Sequence, residues 1–137
     1  MRVLIDTNVL IDYMTHREQF FDEAKKIIGL CADNKIKGYI AAHSITDSFY
    51  IMRKYPLDIS RTLLNEMCRV MSVVGIDYER LIAAINNLRF DDIEDCLQSV
   101  CAQSCGAECI ITRNLEDFKG SEITAISPRD FLLSYKL

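Results

Sequence analysis

The chain has 137 residues, with 16 basic and 20 acidic side chains, and its formal net charge at neutral pH is −4. Half of the residues are hydrophobic, which excludes an intrinsically disordered chain. The acidic balance also excludes a broad basic face that binds nucleic acid by neutralising many phosphates. The length predicts a single domain over residues 1–137. Because a broad basic face is excluded, any nucleic-acid function has to rest on a local site.

Four short apolar segments have the composition of buried parallel strands, because they lack polar alternation and are too short for helices. These predicted strands are Val3–Ile5, Tyr39–Ala41, Val73–Ile76 and Cys109–Ile111, and Ile123–Ile126 is a weaker fifth.

Helices are predicted between the strands, wherever apolar residues recur at helical spacing. The longest covers residues 17–34, and Thr15-x-x-Glu18 has the pattern of a capping box at its start. The others are predicted over residues 8–13, 45–52, 59–67, 78–88 and 93–105, and a last helix begins at Ser127-Pro128. This alternation predicts an α/β fold, a three-layer α/β/α sandwich around a mostly parallel sheet of about five strands.

The N-terminal residues indicate where the protein is located, and the spacing of the cysteines indicates whether they are reduced. Residues 1–6 cannot form the apolar core of a signal peptide, and no apolar run approaches the roughly 18 residues of a membrane span. We therefore expect a cytoplasmic protein with no membrane partner. Four of the six cysteines lie between Cys96 and Cys109, but their C-x4-C-x3-C-x3-C spacing favours buried, reduced thiols over a metal or redox site.

An acidic residue lies close to every predicted junction between a strand or loop and the helix that follows it. These residues are Asp6, Asp47, Asp95 and Asp117. Taken singly, the last three look like members of helix capping boxes, since acids favour helix N-termini. Taken together, these acids are expected to lie close to one another, because the carboxyl ends of parallel strands meet at one edge of the sheet, where functional sites form.

A cluster of four carboxylates is destabilised by mutual repulsion unless a cation neutralises it. Mg²⁺ and Mn²⁺ prefer carboxylate oxygens and keep several waters, which suits phosphoryl chemistry. The four acids therefore predict a metal-dependent phosphodiesterase that uses Mg²⁺ or Mn²⁺.

Three stretches of the sequence resemble a known family. Residues 3–12, Val-Leu-Ile-Asp-Thr-Asn-Val-Leu-Ile-Asp, look like the opening of a PIN domain, the nuclease fold of VapC-like toxins. Residues 92–98 and 110–118 look like the third and fourth motifs of that family, and the resemblance covers essentially the whole chain. It implies a PIN-like nuclease domain that cuts RNA, commonly as a homodimer and paired with a small antitoxin protein.

Matched residue by residue, the resemblance makes Asp6 the first metal-binding acid and Asp95 the third. Asp47 lies where the second acid belongs, although many members have Glu there. At the fourth motif many members carry Asp where this chain has Asn114, and Asp117 is the candidate to take that role. Asn114 can still coordinate through its amide oxygen, but it supplies no charge.

Several neighbouring polar residues have either a supporting or a purely structural explanation. Asn8 and Thr112 are candidates to hydrogen-bond Asp6 or a metal-bound water, and Asp92 is either a further acid of the site or a helix N-cap. His43 is expected to be structural, and Asp12 to lie on the surface. Basic residues that are candidates to contact RNA phosphates are Arg53, Lys54, Arg89 and Arg113.

The sequence thus predicts a metal-dependent endoribonuclease, the toxin of a toxin–antitoxin pair. The alternative is a catalytically weak or inactive PIN-like module that binds RNA or protein, and Asn114 is the residue that favours it.

Overall fold

The computed structural model describes residues 1–135 and contains one sheet of five parallel strands. The strands are β1 (Arg2–Ile5), β2 (Lys37–Ala41), β3 (Ser72–Val74), β4 (Cys109–Ile111) and β5 (Ala125–Ile126). Their order across the sheet is β3-β2-β1-β4-β5, and every neighbouring pair is parallel. The first strand is therefore the centre of the sheet, between β2 and β4.

Within residues 1–135, seven helices and a short 3₁₀ helix at Leu115–Phe118 surround the sheet. The helices are α1 (Thr7–Met14), α2 (Phe21–Ala32), α3 (Ala42–Ile51), α4 (Leu57–Val70), α5 (Tyr78–Ile85), α6 (Ile93–Ser104) and α7 (Pro128–Ser134). The central strands β1 and β4 are short, buried apolar runs because helices cover both faces of a parallel sheet.

The alternation of side chains along β1 divides the core into two layers, since successive residues of a strand point to opposite faces. Val3 and Ile5 belong to the larger core, which they share with residues of α1, α2, α4 and α7. Leu4 points the other way and shares a second core with Cys101 and Ala102 of α6. The three-layer α/β/α sandwich predicted from the sequence is confirmed.

Two of the expected helix caps differ from the structure. Thr15 ends α1 and donates its hydroxyl to the carbonyl of Ile11 at 2.6 Å, while α2 begins only at Phe21 with no side-chain cap. The predicted capping box at Thr15 and Glu18 is therefore wrong. Ser44, which with Asp47 has the S-x-x-D spacing of a capping box, is not an N-cap either, because α3 already begins at Ala42 and Ser44 is buried inside it.

Other caps agree with the sequence pattern, including Asp92, whose carboxylate accepts the backbone N–H of Asp95 at 3.1 Å.

All six cysteines are free thiols, and Cys31, Cys96, Cys101 and Cys109 are buried. Within residues 1–135, no helix combines the length and the hydrophobicity needed to cross a bilayer.

Candidate functional site

Asp6 ends the central strand and caps α1, so its carboxylate lies at the middle of the carboxyl edge of the sheet. One oxygen, Oδ1, accepts the backbone N–H of Thr7 at 2.8 Å. The other, Oδ2, accepts the Thr112 hydroxyl at 2.7 Å and the Asn8 amide at 2.9 Å. Three donors from two junctions therefore fix the orientation of a buried carboxylate.

Burial raises the pKa of Asp6, although the hydrogen bonds from Thr112, Thr7 and Asn8 act in the opposite direction. The negative charge of Asp117 also raises it. Asp117 lies in the 3₁₀ helix after β4, so the charge that acts on Asp6 comes from a neighbouring strand-to-helix junction.

Asp95, in the first turn of α6, completes this group. Its pKa is raised to about 7, first by burial and then by the charges of Asp92, Asp117 and Asp6. We call these four residues the Asp6 cluster. Their carboxylates repel each other, which is the electrostatic condition that a bound cation would relieve.

A cleft of about 240 Å³ opens beside three members of the Asp6 cluster, Asp92, Asp95 and Asp117. Arg89 and Lys119 also line it, so the cleft carries charges of both signs. Gly120 forms part of its wall, and a Cβ at that position would lie 2.3 Å from the carbonyl oxygen of Arg89. Only glycine allows the two chain segments to approach this closely.

Asp47, the remaining sequence-predicted acid, lies in a second group with His43 and Glu94. Each of these three side chains offers a ligand atom, and the three atoms lie within 4.8 Å of one another. We call this group the His43 cluster; among residues 1–135 it is the set of three metal-ligating side chains that satisfies this spacing. The structure thus brings three of the four predicted acids together and places Asp47 beside them, against Glu94.

The His43 cluster is electrostatically coupled and poorly satisfied. A hydrogen bond with Asp47, burial, and the charges of Asp47, Asp92 and Asp95 raise the pKa of Glu94 to about 8. When both carboxyls are ionised neither can donate to the other, and Asp47 Oδ2 is buried without a partner. Burial lowers the pKa of His43 against the opposing effect of Asp47, and both of its ring nitrogens are buried without a partner.

A buried polar network connects the helices that carry these acids. The amide nitrogen of Gln98 donates to Thr7 Oγ1 at 3.0 Å and to Ser44 Oγ at 2.9 Å, and Thr7 donates to Ser44 at 2.8 Å. Thr7 adjoins Asp6, whereas Ser44 and Gln98 each lie three residues from an acid on the same helix face. The network therefore sets the spacing between α1, α3 and α6.

Residues of the fourth motif act through the backbone as well as through side chains. Thr112 is fully buried and accepts the backbone N–H of Asn114 at 3.0 Å while it donates to Asp6. Asn114 itself is exposed at the start of the 3₁₀ helix. In the structure, Asn114 therefore contributes its backbone, which connects Thr112 to the 3₁₀ helix that carries Asp117.

Arg113 and Asp12 differ from the sequence expectation. Asp12 is not a surface residue but is 1% exposed, and its carboxylate forms a bidentate pair with the Arg113 guanidinium at 2.6 and 3.2 Å. The same guanidinium lies 4.0 Å above the ring of Phe20. Arg113 therefore joins the end of β4 to α1 and is not free to contact a phosphate.

The sequence did not single out Gln98 or Glu94, it gave Ser44 the pattern of a helix cap, and it assigned His43 a structural role. A signal was present for Gln98, Ser44 and His43, because each lies three or four residues from Asp95 or Asp47 and so shares its helix face. That spacing alone does not separate a buried partner from a solvated one.

The fold and the site define a class: a three-layer α/β protein with a group of carboxylates at the carboxyl edge of a parallel sheet. A family model for the PIN domain matches residues 2–116. The chain therefore belongs to the PIN-domain family. No curated protein sequence is significantly similar to it.

Several solved structures share the fold. VapBC2 from Rickettsia felis, bound to a DNA fragment from its promoter, matches with a TM-score of 0.71 and 14% identity over 93% of this chain and 98% of that one. A toxin–antitoxin complex from Klebsiella pneumoniae matches with a TM-score of 0.68 and 24% identity, covering 98% and 99%. The sarcin–ricin-loop-cleaving toxin VapC20 of Mycobacterium tuberculosis gives 0.63 and 11%, covering 79% and 86%.

Proposed function

We propose that residues 1–137 form one nuclease domain, a Mg²⁺- or Mn²⁺-dependent endoribonuclease that acts as the toxin of a toxin–antitoxin pair in the cytoplasm. Membership of the PIN family supports the nuclease activity. The observation that supports the metal requirement is the placement of Asp95 and Asp117 along one cleft beside the buried Asp6, where burial and the neighbouring acids raise the pKa of Asp95.

The donor set fits a hard divalent cation, because it consists of carboxylate oxygens. In this proposal Asp6, Asp95 and Asp117 hold the ion, with Asp47 as the fourth acid at the edge of the site. A cation bound there would lower the pKa of a bound water and neutralise charge on the scissile phosphate.

The protein's own part is to keep these carboxylates in place. Thr7, Asn8 and Thr112 hold both oxygens of Asp6 by hydrogen bonds, so Asp6 cannot rotate away from the site. Asp92 caps α6 and thereby fixes the turn from which Asp95 projects. Without a cation the acidic edge repels phosphate, so we expect RNA affinity to fall sharply in EDTA.

A small antitoxin and a second copy of the chain are the proposed protein partners. The structural neighbours from Rickettsia felis and Klebsiella pneumoniae are toxin–antitoxin assemblies, which supports the first of these. The chain also exposes large apolar side chains on α3, α4 and α5, among them Phe49, Tyr50, Ile51, Leu57, Ile59, Leu81, Ile82 and Ile85. Co-expression with the small neighbouring gene product, followed by co-purification, tests the antitoxin.

The nuclease proposal is tested by incubating purified full-length protein with structured RNA in Mg²⁺, in Mn²⁺ and in EDTA. We expect cleavage only with the cation, and a loss of at least about 100-fold in the Asp6→Asn and Asp95→Asn variants, since each removes a charged ligand. Asp33→Asn is the matched control, because Asp33 is exposed at the end of α2 and remote in sequence from every site motif. Full cleavage by both site variants would refute the proposal.

The second candidate is a non-catalytic PIN-like binding module. Asn114 favours it, since this position supplies no charge. Titration with Mg²⁺ and Mn²⁺ separates the two functions: absence of binding in the millimolar range selects the module.

A further inference from the structure

A cleft of about 720 Å³ lies at the amino edge of the sheet, and we propose that it binds a nucleotide that carries two or more phosphates. Its lining includes the first residues of β1, β2 and β3, which are Arg2, Lys37 and Ser72. We call it the amino-edge cleft. Asp6 follows the other end of β1, so the length of that strand, roughly 13 Å, separates the cleft from the Asp6 cluster. Binding there does not depend on the proposed function.

The charge of the amino-edge cleft indicates an anionic ligand. Arg2, Lys35, Lys37 and Arg69 line it, and none of the lining residues is acidic. None of these four side chains forms an ion pair within residues 1–135, and Arg2 donates a single hydrogen bond, to the carbonyl of Cys105 at 3.1 Å. A chain with a net charge of −4 thus carries uncompensated positive charge on one concave surface. Such a surface concentrates ions of the opposite sign.

The buried part of the lining is apolar and uncharged. Cys31 and Ile36 are 4% exposed and Met71 is 3% exposed. Gly38 lets Cys31 and Met71 pack against β2, because a Cβ there would lie 2.6 Å from Cys31 Sγ and 2.9 Å from Met71 Cγ. Burial raises the pKa of the Cys31 thiol to about 12, so this group adds no negative charge at neutral pH.

This combination of an apolar interior with basic side chains distinguishes a nucleotide from a simple anion. A planar base can pack on the apolar residues while its phosphates contact the lysines and arginines. The volume also lies within the roughly 300 to 1,000 Å³ of small-molecule sites. The cleft therefore has the size for one nucleotide, and it is not an extended groove along which a nucleic-acid strand would lie.

Backbone contacts hold the segment that carries Lys35 in place. Asn34, which follows α2, has a left-handed conformation with a φ of 57°. The N–H of Lys35 then donates to the carbonyl of Leu30 at 2.9 Å, and the carbonyl of Lys35 accepts the hydroxyl of Tyr135 at 3.0 Å. A backbone that is fixed before binding lowers the entropic cost of ordering this side of the cleft around a ligand.

Isothermal titration calorimetry of the full-length protein with ATP in EDTA tests the proposal. Without a divalent cation the Asp6 cluster repels phosphate, so we expect one ATP per chain in the wild type and in Asp6→Asn, with an affinity that falls as NaCl is added. Lys35→Gln and Arg69→Gln should each weaken binding about threefold and the double variant about tenfold, because single exposed charge pairs contribute little. Arg61→Gln is the matched control, since Arg61 is exposed on α4 about two turns from Arg69 and does not line the cleft.

Absence of ATP binding in the millimolar range would overturn the proposal, and so would unchanged affinity in the double variant Lys35→Gln/Arg69→Gln. Both side chains are exposed and form no ion pair within residues 1–135, so the variants should fold, which circular dichroism checks. Inorganic triphosphate that binds as tightly as ATP would contradict recognition of a base. A short single-stranded RNA that binds in EDTA more tightly than ATP would assign the cleft to an RNA strand instead and would also overturn the proposal. If RNA cleavage is absent but ATP binding remains, the nuclease proposal fails while this site stands.

Discussion

Asp95→Asn should make the metal-free protein more stable at pH 8, although it removes a proposed metal ligand. The pKa of Asp95 is raised to about 7 from the ordinary value of 3.8, chiefly by burial and by neighbouring acids. A raised pKa means that the folded state holds a proton which the unfolded chain releases. The resulting stability is complete below pH 3.8 and is lost as the pH rises through about 7.

The size of the effect follows from the shift. Each pKa unit corresponds to about 1.4 kcal/mol, so the whole shift corresponds to roughly 4 kcal/mol. Asp95 is only partly buried, and solvent screening reduces this to about 1 to 2 kcal/mol. Asparagine keeps the size of the side chain and removes the charge, so it should recover that amount at pH 8 and much less at pH 4.

Urea unfolding in EDTA, followed by circular dichroism at pH 4 and pH 8, measures the free energy of unfolding for the wild type and Asp95→Asn. Asp33→Asn controls for the loss of one negative charge at an exposed position. Added Mg²⁺ should stabilise the wild type and not Asp95→Asn, since binding to the folded state adds to stability. An Asp95→Asn protein that is less stable than the wild type at pH 8 in EDTA would refute the electrostatic reasoning.

Two further predictions concern the groups that hold the site together. Gln98→Leu leaves the Thr7 and Ser44 hydroxyls without the amide donor. We expect the free energy of unfolding in urea to fall by about 1 to 3 kcal/mol and Mn²⁺ binding to weaken. A loss of stability with unchanged metal affinity would contradict a role of Gln98 in spacing the helices. Asp12→Ala leaves the Arg113 guanidinium without its buried partner, and we expect the free energy of unfolding to fall by about 3 kcal/mol. The double variant Asp12→Ala/Arg113→Met should recover part of that loss, because it also removes the unpaired charge. Equal losses in the single and double variants would contradict this explanation.

Much of the fold could be predicted because the apolar strands are short, buried on both faces and separated by amphipathic helices. Asp6 could be predicted for the same reason, since any residue that follows the central strand must lie at the carboxyl edge. Helix ends were less predictable. Thr15 matched a capping pattern, but in the structure its hydroxyl closes the end of α1, so the next helix begins at Phe21.

The parts of the site that were missed depend on contacts between helices. Sequence spacing places Asp47 on one face of α3, but it does not show that the facing side chain on α6 is Glu94. The same applies to Asp12, whose burial follows from Arg113, about a hundred residues along the chain. Such pairings arise only once the sheet order has brought α1, α3, α6 and the end of β4 together.

The formal charge of −4 can now be interpreted more locally. It excludes a broad basic surface, but part of the acidic excess lies in two neighbouring clusters at one edge of the sheet. The proposed cation would offset that excess where phosphate has to approach. RNA binding should therefore depend on divalent metal more strongly than on monovalent salt.

The most direct test of the central claim is anomalous diffraction from crystals of the full-length protein soaked in Mn²⁺. We predict an anomalous peak between the carboxylates of Asp6 and Asp95, within bonding distance of both, that disappears in crystals of Asp6→Asn. Density at that position without an anomalous signal, in crystals where Mn²⁺ is bound elsewhere, would contradict the claim that these carboxylates form the metal centre.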